Sequence, residues 1–74
     1  MDKYKKDFRG VKCPINFAKT IMALSKLEDG EILEILIDDG NAIEKLPKSV
    51  EDEGHTIEFK GEESSGGWKI RIIK

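Results

Sequence analysis

The sequence predicts an α/β protein: a two-layer sandwich of order β-α-β-α-β-β, with a mixed four-stranded sheet and both helices on one face. Three observations carry this. The run Ile32-Leu33-Glu34-Ile35-Leu36-Ile37 is apolar and β-branched almost without alternation, as in a central strand. A segment with helical apolar spacing follows Cys13-Pro14. Two alternating segments flank the polar stretch Gly61 to Gly67, which contains Ser64-Ser65-Gly66-Gly67, and together they read as a hairpin.

The elements follow in order. Tyr4 to Phe8 alternates and carries lysines, which suits an edge strand. Gly10 ends it. From Pro14 to about Leu27, Phe17, Ala18, Ile21 and Leu24 fall on one helical face, with Lys19 and Lys26 outside it. Pro14 suits the first helical position, because its missing N–H would have had no partner there, and this places Cys13 at the N-cap. Glu28-Asp29-Gly30 is a stop. Leu33, Ile35 and Ile37 are expected to face the helices. Asp38-Asp39-Gly40-Asn41 has turn chemistry. Pro47 is expected to divide the next segment into a loose turn over 42–46 and a helix that starts at Pro47. That helix is anchored by Leu46 and Val50 and capped by Gly54. In Thr56 to Lys60, Ile57 and Phe59 are expected inward. In the closing strand Trp68, Ile70 and Ile72 share a face. A right-handed β-α-β crossover lets both helices share one side of the sheet.

The chain has 74 residues, one cysteine and one histidine. One cysteine forms no internal disulfide, and this pair supplies no ordinary structural zinc site. Residues 1–74 are therefore expected to form one domain with an economical apolar core. No apolar run approaches the roughly 20 residues that span a bilayer. The charged N-terminus lacks the apolar region of a signal peptide, so a reducing, cytoplasmic location is expected. Net charge is −2, but residues 1–26 carry +5 and residues 27–74 carry −7. The basic part has only Tyr4 and Phe8 as aromatics, weak support for direct nucleic-acid binding.

Cys13 is the candidate reactive group. A helix N-terminus and the cationic neighbours Arg9 and Lys12 both favour a thiolate, the nucleophilic form. Lys12 and Arg9 are expected to be exposed and to contribute little to folding. The competing reading is a small buried apolar residue. Asp38 and Asp39 are open between a partner-docking pair and a solvated turn. His55 reads as part of a turn, and Trp68 as packing.

Asp7-Phe8-Arg9-Gly10-Val11-Lys12-Cys13-Pro14, Lys19-Thr20, Gly30-Glu31-Ile32-Leu33-Glu34-Ile35, Asp38-Asp39, Leu46-Pro47, Gly54-His55 and the strand from Trp68 to Lys74 resemble the TusA/SirA-like sulfur-carrier family. The resemblance implies a βαβαββ carrier in which Cys13 holds a persulfide sulfur, supported by Pro14, Lys12, Arg9 and Asn16. It implies a donor protein, such as a cysteine desulfurase or rhodanese-type protein, an acceptor protein and no cofactor. The family motif usually reads Cys-Pro-x-Pro. Asn16 stands at the second proline, so a different partner set is expected. Proline at 16 is expected to fold normally, on the view that no i→i−4 bond is donated from the first turn. Ile21 and Ser25 lie where some carriers present basic residues to a desulfurase. A thiol redox protein, or a regulatory or RNA-binding module of the same small fold, are the alternatives. The first would need a resolving cysteine from another chain.

Overall fold

The computed structural model describes residues 4–12 and 14–74. Its elements are β1 (Lys5–Asp7), α1 (Ile15–Ser25), β2 (Ile32–Ile37), α2 (Asn41–Asp52), β3 (Thr56–Glu62) and β4 (Trp68–Ile73). The sheet order is β1-β2-β4-β3. β1 and β2 are parallel, and the other two pairings are antiparallel. β4 thus fills the place between β2 and β3 that the crossover through α2 leaves open. The fold is the α/β arrangement that the sequence predicts, a mixed four-stranded sheet with two helices, and the helices pack on each other over one sheet face.

That face is the core. Leu33, Ile35, Ile37, Ile70, Ile72 and Val50 have no exposed surface, and Leu24, Leu27 and Leu46 have almost none. Complete burial of one such side chain stabilises by about 1.5–3 kcal/mol. Trp68 joins Ile70 and Ile72 on this face as a half-buried member. The opposite face carries a charge ladder. Lys5, Glu34 and Arg71 lie side by side across three strands, and Arg71 reaches Glu34 at 3.4 Å and Glu58 at 3.6 Å.

Helix α2 differs from the expectation. It runs unbroken through Pro47. An interior proline costs about 3 kcal/mol through a lost hydrogen bond and a clash with the preceding turn. Ala42, Leu46, Pro47 and Val50 are all buried, and their combined burial exceeds that cost. The helix ends as expected at Gly54: the Gly54 N–H donates to the Glu51 carbonyl, and the His55 N–H donates to that of Val50.

Strand β3 also differs. A register shift between Ile57 and Phe59 keeps Ile57 opposite Ile72 on the core side but turns Phe59 outward, opposite Arg71. The Phe59 ring covers Gly61, and the Arg71 guanidinium sits 4.6 Å from the ring centroid. A bulge has moved the side chain that strict alternation places inside. β3 extends to Glu62, so the hairpin loop is residues 63–67.

In α1 the inward stripe is Asn16, Thr20, Ala23 and Leu24. Phe17 and Ile21 are half-buried at its margin, and Ala18 is exposed. Two polar residues can occupy the inner face because they bond locally: Thr20 Oγ1 donates to the Asn16 carbonyl at 2.8 Å, and Asn16 Oδ1 accepts from the Phe17 N–H at 2.7 Å. The Asn16 N–H donates to the Lys12 carbonyl at 3.1 Å. That i→i−4 bond overturns the expectation that position 16 donates none. Asn16→Pro removes this bond and a buried amide, and is expected to lower stability by about 1–3 kcal/mol. Chemical denaturation of the two proteins checks this. Equal stability would show that neither bond matters.

Candidate functional site

The residues singled out by the sequence gather where β1 and β2 end. The strands are parallel, so their carboxyl ends lie on the same edge, and the segment leaving β1 turns there toward α1. Cys13 itself lies outside the described residues. The N-cap of α1 is Pro14, with φ −93° and ψ 10°, and the first helical residue is Ile15, which corrects the expectation of an N-cap at position 13 and a first helical position at Pro14. The helical turn nevertheless reaches back to Lys12, whose carbonyl accepts from Asn16, while the Pro14 carbonyl accepts from Ala18. No acidic side chain stands in the first turn of α1 to offset the positive end of its dipole.

Each remaining candidate has a defined place. Lys12 and Pro14 are exposed, and Lys12 forms no ion pair among the described residues. Arg9 is engaged. Its guanidinium grips Asp7 through Nε (2.9 Å) and Nη2 (2.7 Å), and Nη1 donates to Ser65 Oγ and the Gly66 carbonyl. Its charge is thus shared with a carboxylate, and its geometry ties the hairpin loop to the segment that precedes Cys13. Arg9 holds the Asp7 carboxyl down at about 2, and Asp7 in turn raises the Arg9 guanidinium.

Asp38 and Asp39 both turn inward to bonds within the chain. Asp38 Oδ2 accepts from the Gly10 N–H at 2.8 Å, which fixes the segment before Cys13 against the end of β2. Gly10 has φ +84°, a conformation that disfavours side-chain-bearing residues. Asp39 Oδ1 accepts from Trp68 Nε1 at 3.0 Å and from the Gly40 N–H at 2.8 Å. The indole bond comes first and the Gly40 bond second in lowering its carboxyl pKa. A surface pocket of about 370 Å³ lies between the two segments, lined by Val11, Lys12, Asp38, Asp39, Asn41 and Ala42.

Sequence reasoning missed the hairpin loop as a neighbour of this edge. A Cβ at Gly67 would collide with the Ile37 carbonyl oxygen and approach Arg9 Cδ to 3.2 Å. The paired glycines Gly66-Gly67 were the available signal, since tandem glycines admit close backbone approach. Among the described residues no group of three or more His, Cys, Asp and Glu is placed to hold a metal.

Two measurements probe this frame. Asp38→Asn is expected to weaken the charge-assisted bond to Gly10, to speed hydrogen exchange at the Gly10 amide and to cost about 1 kcal/mol. Unchanged exchange would separate Asp38 from the loop. Asp7 is held below its ordinary value of 3.8, so its contribution to folding is fully present above that pH and is lost as pH falls through about 2. A carboxyl NMR titration of Asp7 should show a midpoint well below 3.8, and Arg9→Ala should return it toward 3.8.

The model of the family described as sulfurtransferase TusA matches residues 4–74. A protein of Archaeoglobus fulgidus, named as a candidate sulfur carrier, is 41% identical over 92% of this chain and 77% of its own length. A similarly named protein of Thermotoga maritima is 38% identical over 89% and 84%. Escherichia coli YedF, named in the same way, is 33% identical over 73% and 70%. Among solved structures, a SirA-like protein of Desulfitobacterium hafniense superimposes with a TM-score of 0.79 at 28% identity, covering 93% of each chain. The chain belongs to the TusA family of sulfur-carrier proteins, with the fold of its SirA-like members.

Proposed function

We propose that residues 1–74 act as one sulfur-carrier domain that relays a sulfane sulfur through Cys13. The observation that carries this reading is the family match over residues 4–74, in a chain whose single cysteine directly precedes Pro14 in the sequence. The Cys13 thiolate attacks the outer sulfur of a donor protein's persulfide. The donor's S–S bond breaks and its thiolate leaves, while a new S–S bond forms on Cys13. No net oxidation occurs, and the proton count is unchanged. The reverse roles then deliver the sulfur to an acceptor protein's thiolate.

The chain's part is to present and favour the thiolate. The positive end of α1 and Lys12, which forms no ion pair among the described residues, stabilise it. Arg9, through Asp7 and the hairpin loop, and Asp38, through Gly10, hold the segment that carries it. Asn16 shapes the first turn beside it. Pro14 limits the backbone after it. The pocket beside Lys12 gives room for a partner's sulfur-bearing loop. The partners are a donor, such as a cysteine desulfurase or rhodanese-type protein, and an acceptor, and no cofactor is required. The setting is a reducing, cytoplasmic one. No helix among the described residues is long and apolar enough to cross a membrane.

Incubation with a cysteine desulfurase and cysteine, followed by intact-mass measurement, tests the reading. The protein should gain one reducible sulfur and Cys13→Ser none. Equal sulfur on both proteins overturns the assignment. A sulfenate or a mixed disulfide in place of the added sulfur points to a redox role.

A further inference from the structure

The carboxyl-end site leaves one surface unexplained. A groove of about 310 Å³ runs between β1 and α1, lined by Lys6, Phe8, Lys19, Met22, Ala23 and Lys26. Its floor is apolar and its rim holds three lysines, none of which forms an ion pair among the described residues. On α1 the stripe Ile15, Lys19, Met22, Lys26 follows the spacing i, i+4, i+7, i+11, a single line along the helix. Met22 and Ile15 are 62% and 55% exposed, the two most exposed large apolar side chains described. The line therefore alternates apolar and cationic groups toward solvent. A lysine-rich solvated face does not require methionine and isoleucine along it. At about 100° per residue, this line lies roughly a quarter to a third of a turn away from Ile21 and Ser25.

We propose that this groove docks an acidic amphipathic segment of a partner protein, with leucine- or methionine-sized side chains on Phe8, Met22 and Ala23 and carboxylates against Lys6, Lys19 and Lys26. Charge complementarity selects this occupant: three lysines without an ion pair among the described residues surround an apolar strip in which Met22 is exposed and Phe8 half-buried, and Met adapts its shape to a guest. Phe8 and Lys19 lie five residues before and six after Cys13 in the sequence, so the docked protein would be held on the two arms that flank it. The inference rests on the sulfur-carrier reading only for why a partner must dock.

The probe is a short fluorescein-labelled peptide that repeats glutamate and leucine at helical spacing, titrated by anisotropy against the full chain. Saturable binding is expected, weakening as salt rises. Lys19→Glu/Lys26→Glu and Met22→Ser should each weaken it about tenfold or more, while Lys45→Glu/Lys48→Glu on α2, which makes the same charge change, should stay within about twofold. All of these positions are exposed, and circular dichroism checks folding. A peptide with lysine for glutamate should not bind. Absence of saturable binding, or equal weakening by the α2 variant, overturns the proposal. So does self-association of the chain that Met22→Ser abolishes, since that would assign the groove to a second copy. Cys13→Ser should bind the peptide unchanged, so failure of sulfur loading and failure of docking are separate results.

Discussion

Everything in this small chain depends on covering one apolar sheet face. β2 and β4 sit at the centre of the sheet and send Leu33, Ile35, Ile37, Ile70 and Ile72 to the same side, all fully buried. With one cysteine in the chain, no internal disulfide shares the load, so both helices must lie over that side. This constraint explains the continuous α2. Its proline is unfavourable in isolation, yet the stripe of Ala42, Leu46 and Val50 reaches the core only if the helix starts before Pro47. It also explains the opposite face, where the Lys5, Glu34 and Arg71 ladder and Phe59 under Arg71 make a surface that needs no cover.

The same topology brings the residues around the Asp7-to-Pro14 block together with the end of β2. A parallel pair of strands has both carboxyl ends on one edge, and the loops that leave those ends are neighbours. Asp38, at the end of β2, is therefore beside Gly10, just past the end of β1, and their bond crosses between the two loops. Arg9 adds the hairpin loop from the far end of the chain. The segment before Cys13 is thus held by groups from three separate stretches of sequence.

The uneven charge of the sequence acquires a location in the fold. Lys6, Lys19 and Lys26, which form no ion pair among the described residues, border the groove between β1 and α1, whereas Arg9 is held internally by Asp7. Charges that look alike in a string of residues divide into structural and available ones, and only partners in space make the division. The aspartates behave likewise: Asp38 and Asp39, open between docking and solvation as a turn, are both acceptors of bonds within the chain.

The sequence alone determined the element order, the central strand, the edge position of β1, the core side of β2 and the cap at Gly54, because each follows from local periodicity or a turn residue. It also determined the family, since the contiguous Asp7-to-Pro14 motif survives being read as a string. Tertiary structure decided what depends on distant neighbours. Pro47 is helical because the core rewards the whole helix. Phe59 faces outward because a bulge at one residue reverses alternation. Asn16 and Thr20 are inside because each finds a bond within its own turn. Arg9 reaches residues 65 and 66 only after β4 has inserted beside β2 and carried the hairpin loop to that edge. These outcomes are sums of burial and hydrogen bonding over residues far apart in the chain, which no window along the sequence contains.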